Sequence, residues 1–179
     1  TRVQVYFMEN NLFYKEMPEL IYKARNGRVF SDLDLRFAFF NKAALENLQS
    51  LFWKPDIILC NDWQVSLIPS LLKQQFINKE FYSGMKSVYI IHSINNYRKF
   101  SNSIYDILEI NASVTDKQID NHIQAMENAD LTILLNYESE QLMSKLKKQN
   151  SLLQKFESTN HLVIDVPKNT NADGWKQIA

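Results

Sequence analysis

The amino-acid sequence predicts an α/β fold, a Rossmann-like doubly wound parallel sheet within a single domain. Short apolar runs rich in β-branched residues recur at 57–60, 87–91, 131–135 and 161–166. Segments whose apolar residues follow helical spacing lie between these runs, and polar or turn-forming residues end each run. Strands and helices that alternate in this way form βαβ units, which place successive strands parallel in one sheet.

The N-terminal part of the chain predicts one strand, one turn and one long helix. Residues 2–8 (RVQVYFM) alternate and are rich in β-forming residues, which predicts a strand. Pro18 is placed to open a short helix, and the Asn-Gly pair at 26–27 predicts a turn. Ser31 is then expected to cap a long helix that runs to about Leu51.

The central part predicts two buried strands, each followed by polar residues. Residues 57–60 form a continuous apolar run after Pro55, which predicts a strand buried on both faces. Apolar residues return at helical spacing after Asp62, which predicts a strand, a tight turn and a helix. Residues 87–91 (SVYII) predict the next buried strand, which ends at His92.

The C-terminal part continues the alternation. Residues 115–118 resemble a capping box, and the helix is expected to continue to about Asn128. Residues 131–135 predict a third buried strand, and 137–158 predict one amphipathic helix whose charges form a solvated face. Residues 161–166 predict the fourth strand, so the domain is expected to end there.

The domain is expected to span residues 1–166, and the polar segment 167–179 is interpreted as a linker or tail.

Composition narrows the classes of function that this domain could have. Lys plus Arg and Asp plus Glu both number 20, so no basic field predicts a nucleic-acid partner. Cys60 is the single cysteine, which excludes an internal disulfide framework and a cysteine-based zinc site and favours a cytoplasmic location. No apolar run is long enough to span a bilayer, so no membrane partner is expected.

Polar side chains at the ends of the predicted strands form the candidate site. Ligands of such sheets bind outside the carboxyl ends of the strands. The residues at those positions are Asn61, Asp62, Trp63, His92, Ser93, Asn95, Asn136 and Tyr137. The chain has three widely separated glycines and therefore no clustered-glycine loop that could cradle a phosphate.

Each prominent residue of this set has a structural alternative. Asp62 could cap the helix that follows it, or its carboxylate could bind a sugar hydroxyl. Trp63 is more often a packed aromatic residue than a sugar platform, and a histidine at the position of His92 is more often structural. Cys60 is interpreted as a core residue. The other two histidines, His122 and His161, are interpreted as surface residues, and no histidine spacing predicts a metal site.

Several segments resemble those of bacterial glycogen synthases and plant starch synthases. "KPDIILCNDWQVSLIPSLLK" (54–73) resembles the family stretch KPDIIHxHDWQTALxPxxLK, and "VQVYFMEN" resembles VxVYFIDN. "FSDLDLRFAFFNKAALENL" resembles the family helix YxDNxERFxFFxRAALExL. "SVYIIHSI" and "MENADLTILL" resemble the strands that end in HN and that contain ADxVTTV. The five segments follow the family order and cover most of residues 2–135.

The resemblance implies a fold and a reaction. The family transfers glucose from a nucleotide sugar, usually ADP-glucose, to an α-1,4-glucan with retention of configuration, and uses no further cofactor. Two Rossmann-like domains enclose the active site, and this chain corresponds to the acceptor side, without the C-terminal domain that holds most of the nucleotide. Asp62 and His92 match the family's active-site Asp and His, which implies that both contact the transferred glucose or the acceptor. Localisation would be cytoplasmic, or plastidial in a plant.

The chain departs from the family pattern at several positions of the site. The family's first strand and Lys-x-Gly-Gly-Leu loop are absent, Asn61 stands in place of a histidine, and Arg98 stands in place of a glycine. The leading hypothesis is therefore part of a retaining glucosyltransferase that does not turn over by itself. The alternative is a non-catalytic glucan-binding or regulatory relative. A third, weaker alternative is an unrelated nucleotide-binding domain.

Overall fold

The structure, a computed structural model, describes residues 3–14, 21–114, 116–138 and 141–166. The strands are β1 (Ile57–Asn61), β2 (Lys86–Ile91), β3 (Lys99–Ser101), β4 (Gln118–Asp120), β5 (Leu131–Tyr137) and β6 (His161–Val166). The α-helices are α1 (Leu33–Ser50), α2 (Ile68–Leu71), α3 (Ser103–Leu108), α4 (Asn121–Asn128), α5 (Leu142–Lys147) and α6 (Asn150–Ser158). No helix in these ranges is both long and apolar enough to cross a membrane.

Four strands form one parallel sheet in the order β1-β2-β5-β6, which confirms the predicted α/β architecture with a parallel central sheet. Asn61 at the end of β1 lies opposite Ile90 of β2. Ile91 in turn lies opposite Leu134 of β5. The two remaining strands, β3 and β4, form a separate antiparallel pair. The carboxyl ends of β1 and β2 therefore meet at the same edge of the sheet.

Burial alternates along β2, which shows how the sheet packs. Ser87, Tyr89 and Ile91 are buried, whereas Val88 and Ile90 are half-buried. Helices α2 and α4 pack against β2 and against each other, and α4 also packs against α6. Part of the core therefore lies between these helices and the sheet, where apolar burial contributes to stability.

Strand β1 differs from the prediction that both of its faces are buried. Ile57 and Leu59 are 55% and 61% exposed, whereas Cys60 is completely buried. Within the described residues β1 pairs with β2 alone, so it is an edge strand. The apolar run therefore reflects one buried face and one open face. The predicted core position of Cys60 is confirmed, and burial raises the pKa of its thiol to about 12.

The N-terminal segment contains one correct and two incorrect predictions. The turn at 26–27 forms as predicted, with Gly27 at φ +81°. The described residues of the predicted strand, 3–8, have no ladder partner and are not a strand. Helix α1 begins at Leu33 with Asp32 in the capping position, so Ser31 is not the cap; the Asp32 carboxylate pairs with Arg36 one turn later at 2.9 Å. The helix predicted to start at Pro18 lies outside the described residues.

Two further element boundaries in the C-terminal part differ from the sequence interpretation. Gln118 pairs with Ser101 in the β3–β4 ribbon, and α4 starts only at Asn121. The single helix predicted over 137–158 is divided, because Tyr137 extends β5 and the backbone leaves the helical conformation at Gln149 between α5 and α6. Tertiary pairing therefore overrides local helical propensity at both places. Thr115 and the tail 167–179 lie outside the described residues.

Candidate functional site

Asp62 occupies the turn between β1 and the helical segment that follows, and its backbone is strained. Its dihedral angles are φ 65° and ψ −174°, a region that residues other than glycine rarely adopt. Its backbone N–H donates to the carbonyl of Ile90 at 2.8 Å, which ties the turn to β2. This backbone conformation directs the half-buried carboxylate across to the neighbouring turn.

The Asp62 carboxylate binds the turn that follows β2. Its Oδ2 accepts a hydrogen bond from the hydroxyl of Ser93 at 2.6 Å, and its Oδ1 accepts from the backbone N–H groups of His92 (3.4 Å) and Ser93 (3.3 Å). Asp62 makes no side-chain capping bond to the short helix that begins at Trp63. The capping alternative for Asp62 is therefore replaced by a bridge between the ends of two adjacent strands.

His92 is half-buried at the same edge, and both of its ring nitrogens have partners. Nε2 lies 3.0 Å from Asn61 Oδ1, and Nδ1 lies 3.4 Å from the hydroxyl of Tyr137. Because the Asn61 oxygen can only accept, Nε2 carries a proton and donates to it. The Tyr137 ring also stacks at 6.3 Å from the His92 ring. Residues that follow or end three successive strands, β1, β2 and β5, thus meet around one imidazole.

Asn95 and Asn136 have different positions relative to this cluster. Asn95 Nδ2 donates to Ser93 Oγ at 2.8 Å, and its Oδ1 accepts from the N–H of Tyr97 at 2.9 Å, so Asn95 belongs to the cluster. The Asn136 amide instead donates to Asp165 of β6 at 2.7 Å. Its Oδ1 accepts from the N–H of Met143 at 3.0 Å. Asn136 lies on the same edge but supports the start of α5 rather than the cluster.

Trp63 does not have the solvent-facing position that a sugar contact requires. Its side chain is 2% exposed, so neither face of the ring is open to a ligand. The ring packs inside an aromatic cluster that consists of Tyr22, Phe37, Tyr97 and Phe100. The prediction of Trp63 as a substrate-binding residue is therefore corrected, and its role is to anchor the turn that carries Asp62.

His122 is completely buried, so its interpretation as a surface residue is wrong. Its Nδ1 lies 2.6 Å from the Tyr89 hydroxyl, and its Nε2 lies 2.8 Å from the carbonyl oxygen of Ser93. Burial lowers the pKa of His122, although the neighbouring Asp120 and Asp62 oppose this effect. The polar residues around His122 in sequence predicted an exposed position, but α4 directs this side chain toward the sheet.

Arg98 follows the candidate site in sequence and is also buried. Its Nε pairs with the Asp120 carboxylate at 2.9 Å, and the two side chains are 4% and 17% exposed. The guanidinium also donates to the Asn95 carbonyl and to Gln149 Oε1, both at 2.5 Å. The charge therefore points into the protein and holds the turn to β4 and to the break between α5 and α6.

Asn41 supports the site from α1, and sequence reasoning did not identify it. The residue is completely buried, and its Oδ1 accepts from the N–H groups of Leu67 and Ile68, both at 3.1 Å. Its amide donates to the carbonyls of Phe37 and Gln64, both at 2.7 Å. The available signal was its position on the apolar stripe of α1, four residues after Phe37.

In the described residues, no group of three or more His, Cys, Asp or Glu side chains could hold a metal ion.

Comparisons with known proteins identify the family of this chain. The family described as "Starch synthase catalytic domain" matches residues 1–141. The chain is 40% identical over 94 residues to a glycogen synthase of Pelodictyon phaeoclathratiforme, which covers 52% of this chain and 19% of that protein. It is 41% identical over 92 residues to a glycogen synthase of Lachnospira eligens, which covers 51% of this chain and 18% of that protein. The match thus spans about a fifth of each curated relative.

A solved structure supports the fold. The catalytic domain of starch synthase IV from Arabidopsis thaliana, bound to ADP and acarbose, superposes with a TM-score of 0.57 at 20% identity. The superposition covers 83% of this chain and 32% of that chain. At this identity the likeness shows the architecture alone, and the chain corresponds to a part of the larger catalytic domain.

Proposed function

Because the chain belongs to the starch synthase catalytic domain family, within the glycogen and starch synthase-like glycosyltransferases, we propose that it forms the acceptor side of a retaining glucosyltransferase. The substrates would be a nucleotide-glucose donor, ADP-glucose in the first instance, and an α-1,4-glucan acceptor. Asp62 and His92 would contact the transferred glucose or acceptor hydroxyls. A C-terminal Rossmann-like domain would supply most of the contacts to the nucleotide.

One observation carries the proposal: Asp62 and His92 lie at the same edge of the sheet and are joined through the turn after β2. The Asp62 carboxylate accepts from the backbone of His92 and from both donors of Ser93. The half-buried carboxylate and imidazole together offer hydrogen-bonding oxygen and nitrogen atoms at one edge, a combination suited to sugar hydroxyls. Fixed polar groups of this kind favour catalysis by positioning and by electrostatic stabilisation of an oxocarbenium-like state.

The second candidate function is a non-catalytic glucan-binding or regulatory relative, and Arg98 favours it. The Arg98 side chain stands where the family has glycine and is directed into Asp120, so it is not available to a donor diphosphate. Asn61 likewise occupies the position of the family's histidine and is hydrogen-bonded to His92. Both candidates predict that glucan binds at the edge formed by Asp62 and His92, and they differ in turnover.

The deciding experiment measures transfer of labelled glucose from ADP-glucose to glycogen by the full-length protein that carries this sequence. Transfer that is lost in Asp62→Asn supports the glucosyltransferase, whereas glucan binding without transfer supports the non-catalytic relative. The isolated 179-residue chain is expected to bind maltooligosaccharides without turnover. The exposed Asp106→Asn serves as the matched control, because that carboxylate lies on α3. Binding that is equally insensitive to both substitutions would remove Asp62 from the site.

A further inference from the structure

A buried histidine lies directly behind the polar residues of the candidate site. His122 is on the first turn of α4, and its imidazole bridges two points of one segment of chain, the Tyr89 hydroxyl and the Ser93 carbonyl. Tyr89 lies within β2, and Ser93 lies two residues after the end of this strand. The imidazole therefore connects the strand to the turn that follows it. Both His122 and Tyr89 are completely buried, so water cannot substitute for either contact.

The partners determine which tautomer of His122 is present. The Ser93 carbonyl can only accept a hydrogen bond, so Nε2 of His122 carries the proton and donates at 2.8 Å. Nδ1 of the neutral ring therefore accepts from the Tyr89 hydroxyl at 2.6 Å. Burial raises the pKa of Tyr89 well above its usual value, which keeps the hydroxyl protonated as a donor. The Ser93 carbonyl and the Tyr89 hydroxyl therefore determine which atom donates in each of the two hydrogen bonds of His122.

The same chain of hydrogen bonds continues to the candidate site. Ser93 accepts from His122 through its carbonyl oxygen, and it donates to Asp62 through both its backbone N–H and its hydroxyl. An altered orientation of the peptide after Ser93 would therefore displace the donors that hold the Asp62 carboxylate. The backbone N–H of His92 also donates to this carboxylate, so the same displacement would reach His92.

We propose that His122 is a positioning residue: its Nε2–H donor holds the Ser93 turn so that Asp62 and His92 present a fixed pair of polar groups to the sugar. This inference rests on the proposed function for the ligand, but the displacement itself is measurable without one. Tyr89 assists by fixing the tautomer of His122. This role requires a side chain that donates a hydrogen bond to the Ser93 carbonyl. A side chain of similar volume without a donor does not fulfil it.

Two substitutions at His122 separate the donor from the volume of the ring. His122→Gln keeps an N–H donor at about the distance of Nε2, whereas His122→Leu fills much of the same space without a donor. Maltooligosaccharide affinity of the folded 179-residue chain should fall on the order of tenfold in His122→Leu, because small displacements of positioned groups are costly. Affinity should recover to within about threefold of the original in His122→Gln.

The matched control is Gln124→Leu, two residues further along α4. Gln124 is buried and accepts from the backbone N–H of Ser113 at 3.0 Å, away from the candidate site. The Gln124→Leu variant should have a lower melting temperature, as His122→Leu does, but an unchanged affinity for glucan. Equal losses of affinity in both leucine variants would overturn the positioning role and leave general destabilisation.

A ligand-free measurement keeps this inference distinct from the proposed function. The ring and backbone NMR signals of His92 and Ser93 should move in His122→Leu and return toward their original positions in His122→Gln. Tyr89→Phe removes the donor to Nδ1 and should shift the His122 ring signals, while Nε2 keeps its proton toward the Ser93 carbonyl. If these signals move as expected but no glucan binds to any variant, the proposed function fails and the positioning role stands. Unmoved His92 and Ser93 signals in a folded His122→Leu would overturn the positioning role.

Discussion

Two polar clusters contact the turn after β2, and they differ in exposure and in backbone strain. The Asp62 cluster is half-buried, and Asp62 adopts φ 65° and ψ −174°. The Arg98–Asp120 cluster is almost completely enclosed, and Asp120 has an ordinary extended backbone with φ −77° and ψ 104°.

This difference in exposure and strain distinguishes the residues of the candidate site from the residues that support the fold around it. The two sets are only a few residues apart in the chain. In the enclosed cluster the bonds of Arg98 to Asp120 and Gln149 join separate elements of the fold, so its removal should affect stability. In the Asp62 cluster the strained, half-buried Asp62 is held by the Ser93 turn, and strained backbone of this kind is typical of functional sites. Three substitution series test whether this division is correct.

The largest expected effect comes from breaking the enclosed ion pair. Arg98→Met leaves the largely enclosed Asp120 carboxylate without its cation and should lower the free energy of unfolding by about 3–5 kcal/mol. Urea unfolding measures this loss. The control is Lys86→Met, which breaks a pair with Asp130 whose side chains are 63% and 40% exposed and should cost less than about 1 kcal/mol. Similar losses in the two variants would show that enclosure does not distinguish the Arg98 cluster.

A smaller effect is expected from the strained backbone of the Asp62 cluster. Asp62→Gly and Asp62→Ala both remove the carboxylate, but glycine adopts the observed dihedral angles without strain. The glycine variant should therefore be more stable than the alanine variant by about 1–3 kcal/mol in thermal or urea unfolding.

Glu109 provides the comparison position for this series. Its φ 55° and ψ 41° lie in the ordinary left-handed region, so the same pair of substitutions there should differ by only about 1 kcal/mol. An alanine variant at Asp62 that is as stable as the glycine variant would mean that the turn relaxes and that no strain is held at the site.

The smallest expected effect is a pH dependence that belongs to His122. Burial lowers the pKa of His122 below its usual value of 6.5; Asp120 and Asp62 oppose the change and Arg98 adds to it. Below about pH 6.5 the unfolded chain therefore binds a proton that the folded chain does not, so stability falls as the pH falls. The slope is at most about 1.4 kcal/mol per pH unit.

Urea unfolding between about pH 7.5 and pH 5.5 checks this dependence, with His122→Gln as the comparison. The substitution removes the titrating group, so its stability should fall less steeply than that of the original chain over the same range. Parallel slopes would assign the acid sensitivity to other groups and would contradict a buried neutral imidazole at this position.

The sequence alone located most of the candidate site because parallel strands end at a shared edge. The apolar runs ending at Cys60 and Ile91 were enough to bring Asp62, His92 and Ser93 together in the prediction. The same reasoning could not separate Trp63 from these residues, because adjacent positions in a turn can point in opposite directions. It also placed His122 at the surface, since its polar neighbours in sequence are not its neighbours in space.

The sequence by itself determined the alternation of strands and helices, the ends of β1 and β2 to within one residue, and the family resemblance, because these depend on local patterns of apolar and polar residues. Tertiary structure decided the rest. It placed Asp62 in a strained backbone, buried Arg98 and His122, and used Asn41 to hold the turn before α2. It also divided the helix predicted over 137–158. Each of these outcomes depends on hydrogen bonds or packing between residues distant in the chain, which no local pattern encodes.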